Sequence, residues 1–109
     1  MSYRVVFSPE AQEQLFELYR YIANVASADI AAQYTGAIVS YCEGLCIFPL
    51  RGIMRDDVRP GLRITNYKGR AVIAFDVDAE MVSIIGVFYG GQDYETILRD
   101  DQNGDSPER

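Results

Sequence analysis

Arg59 to Asp93, RPGLRITNYKGRAVIAFDVDAEMVSIIGVFYGGQD, is the stretch whose reading decides the fold. β-Branched and aromatic residues fill three runs in it, and a turn signal closes each of the first two. Leu62, Ile64 and Asn66 alternate with Arg63, Thr65 and Tyr67; then come Ala71 to Val77 and Met81 to Tyr89, apolar at almost every position. Lys68-Gly69 supplies the first turn, because glycine takes a positive φ at no steric cost, and the polar Asp78-Ala79-Glu80 supplies the second. Three consecutive antiparallel strands are expected. Runs apolar on both faces imply cover on both, or on one face by the rest of the chain and on the other by a partner.

Upstream, Tyr3 to Phe7 reads as a first strand that pairs with this meander. Ser8, Pro9 and Glu10 form a helix start: a capping hydroxyl, a proline where no N–H is needed, and a carboxylate at the positive end of the dipole. Ala11, Leu15, Leu18, Ile22 and Val25 make one apolar stripe at helical spacing. Ser27 caps a second helix with Asp29 in its first turn, and Ala31, Tyr34, Ile38, Cys42 and Leu45 form its stripe until Phe48-Pro49 closes it. So short a connection makes an antiparallel αα-hairpin. Tyr19, Tyr21, Tyr34 and Tyr41 on it read as core or boundary residues.

Leu50 to Pro60 loses periodicity and reads as a surface loop. After Tyr94 only Ile97-Leu98 is apolar, and RDDQNGDSPER predicts a frayed end. The expected organisation is one α+β domain over residues 1–94: an N-terminal strand, the αα-hairpin, and a three-stranded antiparallel meander packed on the helices. A polar tail occupies 95–109.

The net charge of −6 is uneven. Residues 51–70 hold six basic and two acidic side chains, whereas 71–109 hold two basic and nine acidic. An acidic chain is repelled by nucleic acid overall, so direct nucleic-acid binding is not expected and any attraction for anions belongs to the middle segment. No apolar run reaches membrane-spanning length, and MSYRVVFSPEA lacks the pattern of an export signal, so a cytoplasmic protein without a membrane partner is expected. Cys42 and Cys46 stand one helical turn apart with no histidine in the chain to join them, and read as small core hydrophobes rather than a metal site or a disulfide. Neither a metal nor a cofactor is expected.

The order strand, αα-hairpin, basic loop and meander, carried by SPEA, FP, GIMRDDVRPGLR, NYKGRAVIAFDV and GVFYGGQDY, resembles the ParE branch of the RelE/ParE toxin superfamily over roughly residues 3 to 94. The resemblance implies a plasmid or chromosomal stabilisation toxin that inhibits DNA gyrase by binding. It also implies a ParD-like antitoxin that forms a hetero-oligomer with the toxin and neutralises it. The related RelE branch is a ribosome-dependent mRNA endoribonuclease, and its meander arginines and terminal tyrosine correspond by position to Arg63, Arg70 and Tyr89. RNA cleavage needs a base, an acid and cations at one phosphate. This chain has no histidine, and Gly90-Gly91-Gln92-Asp93 puts a carboxylate where that branch ends in basic residues. A noncatalytic binder is therefore expected, with the endoribonuclease and a non-toxic interaction module of the same fold as alternatives. Arg55, Arg59, Arg63, Arg70, Tyr89, Asp93 and Tyr94 are the candidate partner-binding residues. For Arg63 and Arg70 the competing expectation is surface pairing with Asp56, Asp57 or Asp76.

Overall fold

The computed structural model describes residues 3–103, and side chains as far as Arg99. The elements are β1 (Arg4–Phe7), α1 (Pro9–Val25), α2 (Ala28–Glu43), a 3-10 turn (Gly44–Cys46), β2 (Ile53–Met54), β3 (Arg63–Tyr67), β4 (Ala71–Val77), β5 (Met81–Tyr89) and α3 (Tyr94–Asn103). The meander is present, and it sits inside a five-stranded sheet of order β1-β5-β4-β3-β2. β1 adds parallel to β5, and β2 adds antiparallel to β3.

Both helix starts follow the sequence. Ser8 Oγ accepts from the Ala11 N–H at 3.0 Å and Ser27 Oγ from the Ile30 N–H at 3.1 Å, each relieving an orphan donor of a first turn. At the β3–β4 hairpin Tyr67 pairs with Ala71 across a three-residue loop, in which Lys68 and Gly69 have positive φ of 54° and 70° and the Arg70 N–H donates to the Tyr67 carbonyl at 3.1 Å.

One core lies between the helical hairpin and the sheet: Ala11, Leu18, Ile22, Ala31, Ile38, Cys42 and Leu45 meet Ala71, Ile73, Phe75, Val82, Ile84 and Val87. Each large aliphatic or aromatic side chain removed from water here contributes about 1.5–3 kcal/mol. Burial pushes the Cys42 thiol up to about 12, with Glu43 adding to it, so this cysteine behaves as an inert hydrophobe. Tyr19, Tyr34 and Tyr41 pack half-buried at the boundary of this core, whereas Tyr21 is exposed.

Four expectations are corrected. Val25 leaves the stripe and is 64% exposed, because it ends α1 at the hairpin turn, past the sheet. α2 stops at Glu43 and tightens into the 3-10 turn before reaching Phe48-Pro49. The segment taken as a loop from Leu50 to Pro60 contains β2, a strand too short for periodicity to register. The polar tail placed at 95–109, with a frayed end from Arg99, is helical as far as Asn103, and residues 104–109 lie outside the described region.

That last helix changes the second face of the sheet. Leu98 of α3 is 2% exposed and packs with Val58, Leu62, Ile64, Ala74 and Phe88, with Val72, Ile85 and Tyr94 partly buried around them. The chain thus covers much of the face that the sequence left to a partner.

Candidate functional site

The residues singled out from the sequence fall into two groups on opposite faces of the sheet. On the α3 face, Arg55 is the hub. Its guanidinium donates to both Asp57 carboxylate oxygens at 2.9 and 2.8 Å and to the Tyr94 hydroxyl at 2.7 Å, and it lies 2.9 Å from the Glu95 carboxylate. These bonds, with Asp57 first, hold Arg55 firmly protonated and depress Asp57 to about 2. Arg59 donates to the Leu98 carbonyl at 3.2 Å, and its buried Nε has no partner among the described residues. Asp93 caps α3, accepting from the Thr96 hydroxyl at 2.8 Å and the Thr96 N–H at 3.3 Å, and both bonds lower its pKa. The Tyr94 ring lies 6.1 Å from that of Phe88. Arg55, Arg59, Asp93 and Tyr94 therefore fasten α3 to the body of the protein.

On the helical face, Arg63 donates to the Leu50 carbonyl at 2.7 Å and the Arg51 carbonyl at 3.4 Å, bracing the segment before β2. Tyr89, at the end of β5, meets Tyr34 edge-on at 5.7 Å; Tyr34 continues to Tyr67 at 6.2 Å and Tyr67 to Tyr41 at 5.3 Å. The Tyr34 hydroxyl is buried without a hydrogen-bond partner among the described residues, and burial, then the nearby Tyr89 phenol, raise its pKa while Arg70 opposes them. Arg70 is exposed at the hairpin end. The expected pairing of Arg63 and Arg70 with Asp56, Asp57 or Asp76 does not occur: neither has a carboxylate within 4.0 Å among the described residues. The reason for Arg63 is that backbone carbonyls of the segment leading into the neighbouring strand β2 hold its guanidinium first.

What the sequence missed lies next to these residues. Ile47, Phe48, Leu50, Ile53 and Met54 are all between 51% and 67% exposed, a ridge of large apolar side chains running from the 3-10 turn to the free edge of the sheet, where Met54, opposite Arg63, turns to the helical face and Ile53, opposite Ile64, to the α3 face. Tyr3, Ile47, Phe48, Pro49, Leu50 and Arg51 surround a hollow of about 520 Å³ on it. The Arg51 guanidinium lies 5.5 Å from the ring centres of both Tyr41 and Phe48, stacked but without a carboxylate partner among the described residues. The signal was present in the sequence, as five large hydrophobes in eight residues outside any periodic element, and was passed over as loop. Such a patch marks an interaction surface.

No curated protein matches this sequence. Among solved structures, the fold is similar to a chain of the chromosomal ParDE toxin–antitoxin system from P. aeruginosa, with a TM-score of 0.71 at 17% identity over 81% of this chain and 96% of that one. It is also similar to a chain of the toxin–antitoxin complex RelBE2 from Mycobacterium tuberculosis, with a TM-score of 0.59 at 21% identity over 83% of this chain and the whole of that one. The family profile described as ParE toxin of type II toxin–antitoxin system, parDE, matches residues 5–94, from β1 to the first residue of α3. The chain belongs to the ParE toxin family of type II toxin–antitoxin systems.

Proposed function

We propose that this toxin acts in the cytoplasm by binding DNA gyrase without catalysing a reaction, and that a ParD-like antitoxin with an acidic segment neutralises it in a module that stabilises a plasmid or chromosomal locus. The observation that carries the proposal is the ridge from Ile47 to Met54, five exposed apolar side chains beside cations that have no carboxylate partner among the described residues. A surface of that composition suits association with an acidic, apolar partner. Arg55, Arg59 and Arg63 are engaged in internal bonds, and the chain has no histidine, which supports binding rather than phosphoryl chemistry.

The test is a supercoiling assay with purified gyrase. Inhibition and accumulation of cleaved DNA at micromolar toxin, reversed by the antitoxin, is expected; unimpeded supercoiling removes gyrase as the target. The competing nuclease reading draws on Lys68 and Arg70 at the end of the tyrosine row. Ribosome-dependent cuts in messenger RNA that disappear in Arg70→Ala would establish it instead.

A further inference from the structure

We infer that the ridge between α2 and β2 receives an extended acidic segment of the antitoxin, one apolar side chain of which fills the hollow lined by Tyr3, Phe48 and Leu50 while a neighbouring carboxylate meets Arg51. The inference rests on the toxin–antitoxin reading above and adds the place and chemistry of the contact. Three observations converge on this occupant. The first is shape: the hollow of about 520 Å³ is lined mostly by apolar side chains, with Arg51 its one charged residue, so it takes a hydrophobic side chain with an acid beside it.

The second is the free edge. β2 ends the sheet, and Ile53 faces Ile64 while Met54 faces Arg63. The Arg55 N–H donates to the Leu62 carbonyl at 2.8 Å, which makes Arg55 and Ile53 the inward-bonded positions. Antiparallel alternation then turns the N–H and C=O of Met54 away from the sheet. A strand-like partner finds a donor and an acceptor there.

The third is charge. Arg51, in the lining of the hollow, and Arg63, opposite Met54, have no carboxylate within 4.0 Å among the described residues. A second copy of this chain would bring the same cations against them, whereas an acidic segment complements them. Arg63 also braces the Leu50 and Arg51 carbonyls, so the ridge is preorganised and little ordering cost falls on binding. By contrast, the groove along the helical hairpin, lined by Leu15, Phe16, Ala32, Gly36 and Val39, has no charged side chain in its lining, and the Arg20 guanidinium over Phe16 already lies 3.9 Å from the Glu17 carboxylate.

The experiment titrates the full-length toxin, by calorimetry at two salt concentrations, with the purified full-length antitoxin encoded beside it. Leu50→Asp and Arg51→Glu are each expected to weaken binding at least tenfold, with Arg51→Glu also flattening the salt dependence. Phe16→Ser, on the helical hairpin, stays within twofold. Hydrogen exchange of the Met54 amide should slow on complex formation. Wild-type affinity in both ridge variants overturns the proposal while leaving the toxin–antitoxin reading intact. Loss of gyrase inhibition with antitoxin affinity retained assigns the ridge to the target and overturns it as well. Absence of any binding by the unchanged toxin overturns that reading, and this inference with it.

Discussion

The Gln14 side-chain carbonyl, on the first helix, accepts the backbone N–H of Val87 at 2.7 Å. The bond repairs an irregularity in β5: Ala74 pairs with Gly86 but Phe75 pairs with Ile84, so Ile85 is an extra residue and the ladder breaks there. Ser8 serves the same bulge, since its N–H donates to the Ile84 carbonyl at 2.9 Å and its Oγ donates to the Ile85 carbonyl at 3.0 Å. The bulge also lets Ile84 and Val87, three residues apart, both reach the helical core. Gln14→Ala leaves a part-buried donor unsatisfied and is expected to cost about 1–3 kcal/mol, read as a lowered urea midpoint at unchanged slope. Gln14→Glu keeps the acceptor and should recover most of that loss. Because Ser8 braces the same bulge, Ser8→Ala combined with Gln14→Ala should depart from additivity in a double-mutant cycle.

Leu98 anchors α3 on the second sheet face. Leu98→Ala is expected to cost about 2–4 kcal/mol by lost burial and the cavity left behind. Arg55→Ala should release the same helix by a different route, through the lost bonds to Tyr94 and Glu95. Hydrogen exchange distinguishes local release from global loss: in Arg55→Ala, amides after Asp93 should exchange faster while those of β4 remain protected.

Acid should loosen that attachment before it unfolds the sheet. Asp57 is depressed from 3.8 to about 2, first by its hydrogen bonds with Arg55, so its contribution is fully present above the unfolded value and is lost as pH falls from about 4 toward 2. Asp93 is lowered as well, by Thr96, and acts in the same direction. The expected result is faster exchange in α3 over that window, with Asp57→Asn showing the loosened state already at neutral pH. An α3 insensitive to pH down to 2 would refute it.

Gly52 stands at φ 84° directly over the β3 backbone, and an added Cβ would overlap the Ile64 carbonyl oxygen. Gly52→Ala must therefore shift β2 or strain it, at a cost of about 1–3 kcal/mol or more. Because β2 carries the exposed edge, thermal unfolding and antitoxin affinity should both fall in this variant.

Much of the architecture was legible before any tertiary contact was known. The helix caps at Ser8 and Ser27, the Lys68-Gly69 turn and the stripe from Ala31 to Leu45 rest on local bonds and on a period that the chain carries in itself, so they appear where the residues put them. α3 was locally written too: Asp93 three residues before Thr96 is a cap, and Tyr94, Ile97 and Leu98 share a face. The polar composition of residues 99–109 outweighed that short signal. β2 had no comparable chance, since a two-residue strand exists only because β3 lies beside it.

The candidate site was less legible. Arg55 and Tyr94 were selected together and do meet, at 2.7 Å, but as a clamp on α3. Charge and residue type identify which groups can bind a partner; they do not tell whether neighbours 39 residues away have already bound them. By itself the sequence determined the order of first strand, helical hairpin and meander, the starts of α1 and α2, the β3–β4 turn and the ParE family, because these follow from local sterics, periodicity and motif order. Only the tertiary structure decided which cations stay free and which hydrophobes stay exposed. Burial and ion pairing are sums over residues distant in the chain, and the packing of α3 and β2 on the sheet fixes both.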